Sequence, residues 1–117
     1  MSRQRFEKSR RLGKNREFQK VYTQGQKKSW NLFALQWLKV SGQQETRIGL
    51  CVGRKIGNAV VRNRIKRRLR EAIRTYPQAL PPGHWLVINV KKEAVASESE
   101  SLKICLYLAI EEVLGIK

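Results

Sequence analysis

Residues 62–74 contain the densest group of side chains able to bind a ligand through charge. Seven of these thirteen residues are Lys or Arg, and Glu71 is the only acid among them. Arg62, Lys66, Arg70 and Arg74 form three successive like-charged i,i+4 pairs, each destabilising an isolated helix by about 0.2–0.5 kcal/mol. Because a polyanion relieves this repulsion, the array predicts a surface for the phosphate groups of a nucleic acid. A charged face that is only solvated is the alternative.

The apolar residues of the same stretch predict the helix that presents these cations. They follow the i, i+4, i+7 or i+8 spacing that puts side chains on one side of an α-helix, and they are Val61, Ile65, Leu69, Ala72, Ile73 and Tyr76. The residues predicted on the opposite, exposed side are Asn63, Lys66, Arg67, Arg70 and Arg74. The border positions, where long side chains cover apolar neighbours and their charged heads reach solvent, are Arg62, Arg64 and Arg68.

The composition indicates a basic domain with an acidic partner. The 117 residues carry a formal net charge of +16, so nucleic acid or an anionic membrane surface is the expected partner. No apolar run approaches the length of a membrane-spanning helix and no signal peptide is recognisable, which predicts a cytoplasmic protein. Cys51 and Cys105, with His84 as the only histidine, match no zinc spacing, so free thiols are expected and a disulfide is the alternative.

The acidic residues argue against catalytic side chains in this protein. The sequence contains no Asp, and its nine Glu residues are not clustered as a two-metal nuclease requires. Neither a Ser-His-Asp triad nor a Gly-rich loop ending in Gly-Lys-Ser/Thr can be assembled. We therefore predict no catalytic residue and no metal site in the protein itself, so that any cleavage it accompanies is performed by another molecule.

Two further helices flank the predicted sheet. Asn15 is expected to cap a helix over residues 16–23, whose apolar side carries Phe18, Val21 and Tyr22. Ser97 and Glu100 have the spacing of a capping box at the start of the last helix. Its apolar residues should cover the sheet.

Three segments rich in apolar residues, 28–40, 46–53 and 84–92, predict the strands. In the second segment Ile48, Leu50 and Val52 point to one side, and the other side carries Arg47, Gly49, Cys51 and Gly53. Small residues flanked by cations would let a nucleic-acid strand lie against the sheet, and close packing of a helix is the alternative. The order of elements predicts a basic arm over residues 1–15 and a single α+β domain over residues 16–117, with helices on one mostly antiparallel sheet.

Residues 47–71 resemble the signature of the bacterial ribonuclease P protein subunit. The Arg-Asn-Arg box of that family is matched by Arg62, Asn63 and Arg64. Matching positions that follow it are Lys66, Arg67, Arg70 and Glu71, and those that precede it are Lys55, Gly57, Asn58, Ala59 and Val60. The resemblance continues more weakly outside this segment, at Glu17, Phe18, Gln19, Lys20, Lys91 and Lys92.

The resemblance implies a ribonucleoprotein endonuclease that matures the 5′ end of precursor tRNA, in which the RNA subunit carries the active site and binds most of the Mg²⁺. The partners would be that catalytic RNA and precursor tRNA, with no membrane and no DNA. The positions implied to bind the catalytic RNA are Arg62, Asn63, Arg64, Lys66, Arg67 and Arg70. Those implied to form a cleft for the single-stranded 5′ leader are Phe18, Tyr22, Arg47, Cys51, Lys55, Arg68 and Lys91.

The same resemblance implies a two-layer sandwich with a four-stranded sheet, the order αβββαβα and a left-handed βαβ crossover, as in ribosomal protein S5 domain 2. Two positions depart from the family pattern: Gln36 stands where relatives often carry an aromatic that contacts the leader, and Cys51 where they often carry a small hydroxyl residue. The alternatives are a generic basic protein bound to ribosomal RNA, a helix-turn-helix DNA-binding protein and a nuclease that acts without RNA.

Overall fold

The computed structural model describes residues 11–13, 15–40 and 45–115. Its elements, in chain order, are α1 (Asn15–Gln24), β1 (Gln26–Ser29), β2 (Phe33–Lys39), β3 (Arg47–Cys51), α2 (Ala59–Arg74), β4 (His84–Val90) and α3 (Ser99–Leu114). Short 3₁₀ turns at Arg54–Ile56 and Lys92–Ala94 follow β3 and β4. The predicted order αβββαβα is confirmed.

The four strands form one sheet in the order β1-β2-β4-β3. β1 with β2 and β2 with β4 are antiparallel, whereas β3 and β4 are parallel and are connected through α2. The mostly antiparallel sheet is therefore confirmed, and the hand of the β3-α2-β4 crossover stays a prediction. This order makes β3 an edge strand.

The main core lies between one face of the sheet and the helices α2 and α3. On α2 the predicted apolar stripe is confirmed, because its buried residues are Ile65, Leu69, Ala72 and Ile73. On β3, Ile48 is buried in this core and Leu50 packs against it, as the alternation of side chains predicts. None of the described helices is both long enough and apolar enough to cross a membrane.

Helix α1 lies on the opposite face of the sheet. Val21 of α1 is fully buried there with Val87 of β4 and Leu12, and Phe18 and Tyr22 pack at the edge of this small cluster. The sandwich formed by the sheet with α2 and α3 is thus supplemented by one helix on its other face. Gln36 of β2 and Asn89 of β4 are only half-buried on that face, so α1 leaves part of it open as the floor of a cleft.

The folded domain begins before the predicted boundary at residue 16. Arg11 pairs with Ile48 in a parallel bridge, and the Leu12 amide donates to the Ile48 carbonyl at 3.1 Å. Leu12 is 5% exposed and packs with Val21 and Val87. Residues 11–13 therefore belong to the folded domain. The rest of the predicted arm, residues 1–10 and 14, lies outside the described residues.

The N-caps of α2 and α3 are Asn58 and Glu98. The Asn58 side chain accepts a hydrogen bond from the Val61 amide at 3.0 Å, which caps α2. The capping box predicted at α3 is wrong, because Ser97 Oγ donates to the Ala94 carbonyl at 2.7 Å and Glu98 takes the N-cap position.

Candidate nucleic-acid interface

Helix α2 presents a surface of unpaired cations. Arg64, Arg67 and Arg70 are exposed and Lys66 is half-buried. Within the described residues none of these four side chains forms a hydrogen bond or ion pair. Asn63 is also exposed. We call these five residues the basic surface. An unpaired cation needs no internal bond to be broken before it meets a phosphate, so this surface can bind a polyanion directly.

Arg62 and Arg74 lie on the same helix but are engaged within the protein. The Arg62 Nε donates to the Gly57 carbonyl at 3.1 Å. Arg74 Nε donates to the Glu71 carboxylate at 3.2 Å, and the two side chains form an ion pair. The structure thus leaves Arg62 with the remaining guanidinium donors for RNA, and it neutralises the charge of Arg74.

Arg68 is not in the cleft that the family resemblance implied for it. Its Nη1 donates to the Ser97 carbonyl at 3.1 Å, just before α3. The side chain lines a groove of about 390 Å³ between α2 and α3, together with Arg67, Glu71, Ala72, Glu100 and Lys103. This groove is on the side of the sheet away from α1. The assignment of Arg68 to the cleft is therefore wrong, because the packing of α3 fixes its direction.

The Phe18 and Tyr22 rings of α1 form the wall of the cleft, and the Phe18 ring packs against Gly49 of β3. A methyl group at Gly49 of β3 would lie 2.5 Å from the Phe18 ring, so the ring occupies the space of the missing side chain. Phe18 and Tyr22 have ring centroids 6.4 Å apart and an interplanar angle of 52°. The alternative of close helix packing is thus confirmed at Gly49, where α1 places the half-buried Phe18 ring. That a nucleic-acid strand lies against β3 stays a prediction.

A hydrogen bond between the side chains of Tyr22 and Cys51 connects α1, the wall of the cleft, to β3 on its floor. Burial, and after it the hydrogen bond with the Cys51 thiol, raise the pKa of the Tyr22 hydroxyl to about 12. Both causes favour the protonated hydroxyl. The Tyr22 hydroxyl is therefore neutral at physiological pH, and Cys51 is a half-buried free thiol.

The cations implied for the cleft differ in how free they are. Arg47 Nη1 is 2.6 Å from Glu17 Oε2, and its Nη2 donates to the Arg11 carbonyl at 2.8 Å. Lys91 Nζ donates to the Trp30 carbonyl at 2.6 Å and to the Ser29 hydroxyl. Lys55, in the turn after β3, is exposed and has no partner among the described residues. Of the cations implied for the cleft, Lys55 is thus the one whose charge is unengaged among the described residues.

One pair of residues on the cleft floor has no counterpart in the sequence-based site. Asn89 Nδ2 donates to Gln36 Oε1 at 3.0 Å, across β4 and β2. The alternation of residues 84–92 placed Asn89 on the open face, but only the strand register brings it beside Gln36. Both side chains are half-buried.

The basic surface and the cleft lie on opposite faces of the sheet and share the β3 edge. β3 contributes Gly49 and Cys51 to the cleft and Ile48 to the core beneath α2. Residues 52–58 lead directly from the end of β3 into α2. Two strands of nucleic acid could therefore meet around this edge without crossing the body of the protein.

The described residues do not fit a Mg²⁺ site. No group of three His, Cys or Glu side chains comes together among them. The Glu17 carboxylate, beside the cleft, is paired with Arg47. Since Mg²⁺ is held by carboxylates and other oxygen ligands, the described residues offer no ligand set that would hold it.

Comparisons with known proteins agree with the resemblance. A family profile described as Ribonuclease P matches residues 6–113. The ribonuclease P protein component of Bacillus velezensis is 41% identical over 98 residues, which are 84% of each chain. That of Ligilactobacillus salivarius is 42% identical over 112 residues, covering 92% of this chain and 97% of the relative.

Solved structures show the same similarity. The Staphylococcus aureus RNase P protein has a TM-score of 0.81 and 27% identity, covering 92% of this chain and 99% of the other. The RNase P protein from Thermotoga maritima has a TM-score of 0.79 and 25% identity, with 87% and 96% covered. The likeness therefore covers most of this chain in both cases.

Proposed function

The chain belongs to the ribonuclease P protein family, and from this membership we propose that it binds RNA on two surfaces at once. The basic surface of α2 takes the catalytic RNA of ribonuclease P, and the cleft beside α1 takes the 5′ leader of precursor tRNA. The protein thereby promotes removal of the leader, which gives the mature 5′ end of the tRNA. The RNA subunit performs the cleavage and binds the Mg²⁺ ions.

The single observation that supports this proposal most strongly is the separation of free from engaged cations. The free cations of α2 form one continuous surface, whereas Arg47, Arg68 and Arg74 are each held by an internal partner. A phosphate backbone would replace the missing acids of α2 and relieve the repulsion among its cations. Stability of the fold alone would favour interspersed acids on that helix.

In the cleft, the 5′ leader is bound more by stacking of its bases on aromatic rings than by charge. The Phe18 and Tyr22 rings offer surfaces on which unpaired bases can stack, a contact worth about 1–3 kcal/mol per base. Lys55 lies beside the β3 edge, where it can neutralise a phosphate. Because one rigid body joins the two surfaces, binding of the leader becomes intramolecular once the catalytic RNA is bound. Precursor tRNA is therefore favoured over mature tRNA, which has no leader.

The test is cleavage of precursor tRNA at low Mg²⁺ concentration by the catalytic RNA of a bacterial ribonuclease P, with and without this protein. We expect the protein to stimulate cleavage of a precursor with a long leader and to lose most of that stimulation when the leader is one nucleotide long. Equal stimulation of both precursors would contradict the assignment of the cleft. Tight RNA binding without any stimulation would instead indicate a generic basic RNA-binding protein.

A further inference from the structure

The groove between α2 and α3 has a fixed shape because hydrogen bonds join its two walls at both ends. At one end the Arg68 Nη1 donates to the Ser97 carbonyl, just before α3, at 3.1 Å. At the other end the Tyr107 hydroxyl of α3 donates to the Ala72 carbonyl of α2 at 3.0 Å. The groove between these two contacts has a volume of about 390 Å³, which is within the range of sites that hold small molecules.

Charges of both signs line this groove without pairing with one another. Arg67, Lys103 and Glu100 form no hydrogen bond or ion pair with any described residue. Glu100 and Lys103 are three residues apart on α3, a spacing that commonly brings two side chains together on a helix. The carboxylate of Glu71 is paired with Arg74 instead. Among the described residues, the groove therefore offers two cations and one carboxylate that are free to bind a ligand.

This combination matches a small molecule that carries one anionic group and a set of hydrogen-bond donors. The planar guanidinium of Arg67 can bind a phosphate through two N–H groups, and Lys103 adds a second positive charge. A chain of phosphates running along the groove would meet the carboxylates of Glu71 and Glu100 and be repelled by them. The small side chain of Ala72 leaves room on the floor of the groove for a flat ring.

Among the nucleobases, guanine fits the carboxylate of Glu100 best. Its N1–H and its N2 amino group are adjacent donors, and a carboxylate has two acceptor oxygens. Adenine and cytosine present an acceptor beside their amino group, and uracil presents a single N–H between two carbonyls. A guanine nucleotide can therefore place its base at Glu100 and its phosphate at Arg67 and Lys103.

We propose that the groove between α2 and α3 binds a guanine nucleotide and that this binding competes with the catalytic RNA for Arg67. Arg67 belongs to both the basic surface and the groove. A phosphate bound in the groove occupies the guanidinium that the RNA backbone uses, so each ligand lowers the affinity for the other by the same factor. The competition rests on the proposed function, whereas binding of the nucleotide to the groove does not.

The first experiment titrates the full chain, without RNA, with guanosine monophosphate and follows the backbone amide signals by NMR. We expect saturable shifts at Ala72 and Lys103, and none at Phe18 or Gly49 in the cleft. Inosine monophosphate, which lacks the N2 amino group, should bind at least about fivefold more weakly because one hydrogen bond to a charged group is lost. Ribose 5-phosphate, which lacks the base, should bind more weakly still. These comparisons involve no mutation and so cannot be confused with misfolding.

Variants separate binding in the groove from general attraction to a basic protein. Lys103→Ala should weaken binding of guanosine monophosphate about tenfold, whereas Lys92→Ala removes the same charge from an exposed lysine outside the groove and should have little effect. Glu100→Gln should remove the preference for guanosine over inosine monophosphate, and Glu93→Gln should preserve it. Because the Lys103 Nζ also lies 5.8 Å from the centroid of the Tyr107 ring, circular dichroism checks that each variant is folded.

The second experiment measures the dissociation constant of the catalytic RNA of a bacterial ribonuclease P with saturating guanosine monophosphate, and with ribose 5-phosphate at the same concentration. We expect the nucleotide to weaken RNA binding at least about fivefold in the unmodified protein and much less in the Lys103→Ala variant.

Each result decides a defined part of the inference. Equal binding of guanosine and inosine monophosphate overturns the assignment of the groove, as do shifts confined to the cleft or equal binding to the Lys103→Ala and Lys92→Ala variants. Nucleotide binding in the groove that leaves the RNA affinity unchanged overturns the competition. If the protein fails to bind the catalytic RNA even without nucleotide, the proposed function fails, and binding of the nucleotide is still decided by the first experiment.

Discussion

Glu17 and Arg47 are joined by an ion pair of 2.6 Å that ties α1 to β3. Their side chains are only 12% and 26% exposed. Arg47 also donates to the Arg11 carbonyl at 2.8 Å, so one guanidinium connects three separate segments of the chain. A residue implied to contact the leader thus holds the wall of the cleft in place.

We expect Arg47→Ala to lower the free energy of unfolding by about 1–3 kcal/mol, because it removes charge-assisted hydrogen bonds in a poorly solvated site. Urea denaturation followed by circular dichroism measures this change. The control is Lys28→Ala, since the ion pair of Lys28 with Glu112 is about half exposed and should contribute no more than about 1 kcal/mol. A variant of Arg47 with full stability and weak leader binding would instead make Arg47 an RNA contact.

The close contact between Gly49 and the Phe18 ring predicts that a larger residue at position 49 lowers both stability and leader binding. Gly49→Ala should destabilise the protein by about 1–3 kcal/mol, the usual cost of overpacking, and should displace the ring and weaken leader binding. Gly53→Ala is the matched control, because a methyl group at Gly53 meets nothing within 4 Å. Thermal unfolding and precursor affinity are measured for both. Equal behaviour of the two variants would show that the cleft wall adapts without cost.

The basic surface predicts a strong dependence of RNA binding on salt. If its four cations each neutralise one phosphate, the logarithm of the binding constant should fall with the logarithm of the salt concentration with a slope of roughly −3 to −4. Replacing Arg67 and Arg70 together by Ala should make the slope shallower by about 1.5–2 and leave the melting temperature unchanged. Titrations of the catalytic RNA at several salt concentrations measure the slope.

Arg74→Ala is the control for this experiment, because Arg74 lies on the same helix and is paired with Glu71. It should change the slope less than one of the free arginines does. A slope near −1 for the unmodified protein would contradict the assignment of the basic surface to a phosphate backbone.

The position of Arg68 predicts a structural effect and no effect on the leader. Arg68→Ala removes the hydrogen bond to the Ser97 carbonyl and should lower the free energy of unfolding by about 0.5–2 kcal/mol. The ratio of affinities for long and one-nucleotide leaders should remain unchanged. Lys55→Ala should leave the free energy of unfolding unchanged and lower the ratio of affinities for long and one-nucleotide leaders, since Lys55 is exposed and unengaged. Loss of the leader-length effect in the Arg68 variant would contradict this assignment and indicate that Arg68 contacts the leader.

The local patterns of the sequence predicted the elements well because each depends on neighbouring residues. The i,i+4 stripe of Ile65, Leu69 and Ile73 is buried, and the alternation on β3 separates Ile48 from Gly49 as expected. The capping box at α3 failed because the N-cap position is taken by Glu98, while Ser97 belongs to the preceding turn and donates its hydroxyl proton to the Ala94 carbonyl. Leu12 was assigned to the arm because its burial depends on β3, which lies far away in the sequence.

The sequence by itself determined that the protein is basic, that α2 has one apolar and one charged side, and that its central segment resembles the ribonuclease P protein family. The tertiary structure alone decided which cations are free, because the partners of Arg47 and Arg68 lie 30 and 29 residues away. It also decided that Gln36 and Asn89, 53 residues apart, form one amide pair. Helical and strand periodicity assigns a side chain to a face, whereas its partner follows from sheet register and helix docking, which are long-range properties of the chain.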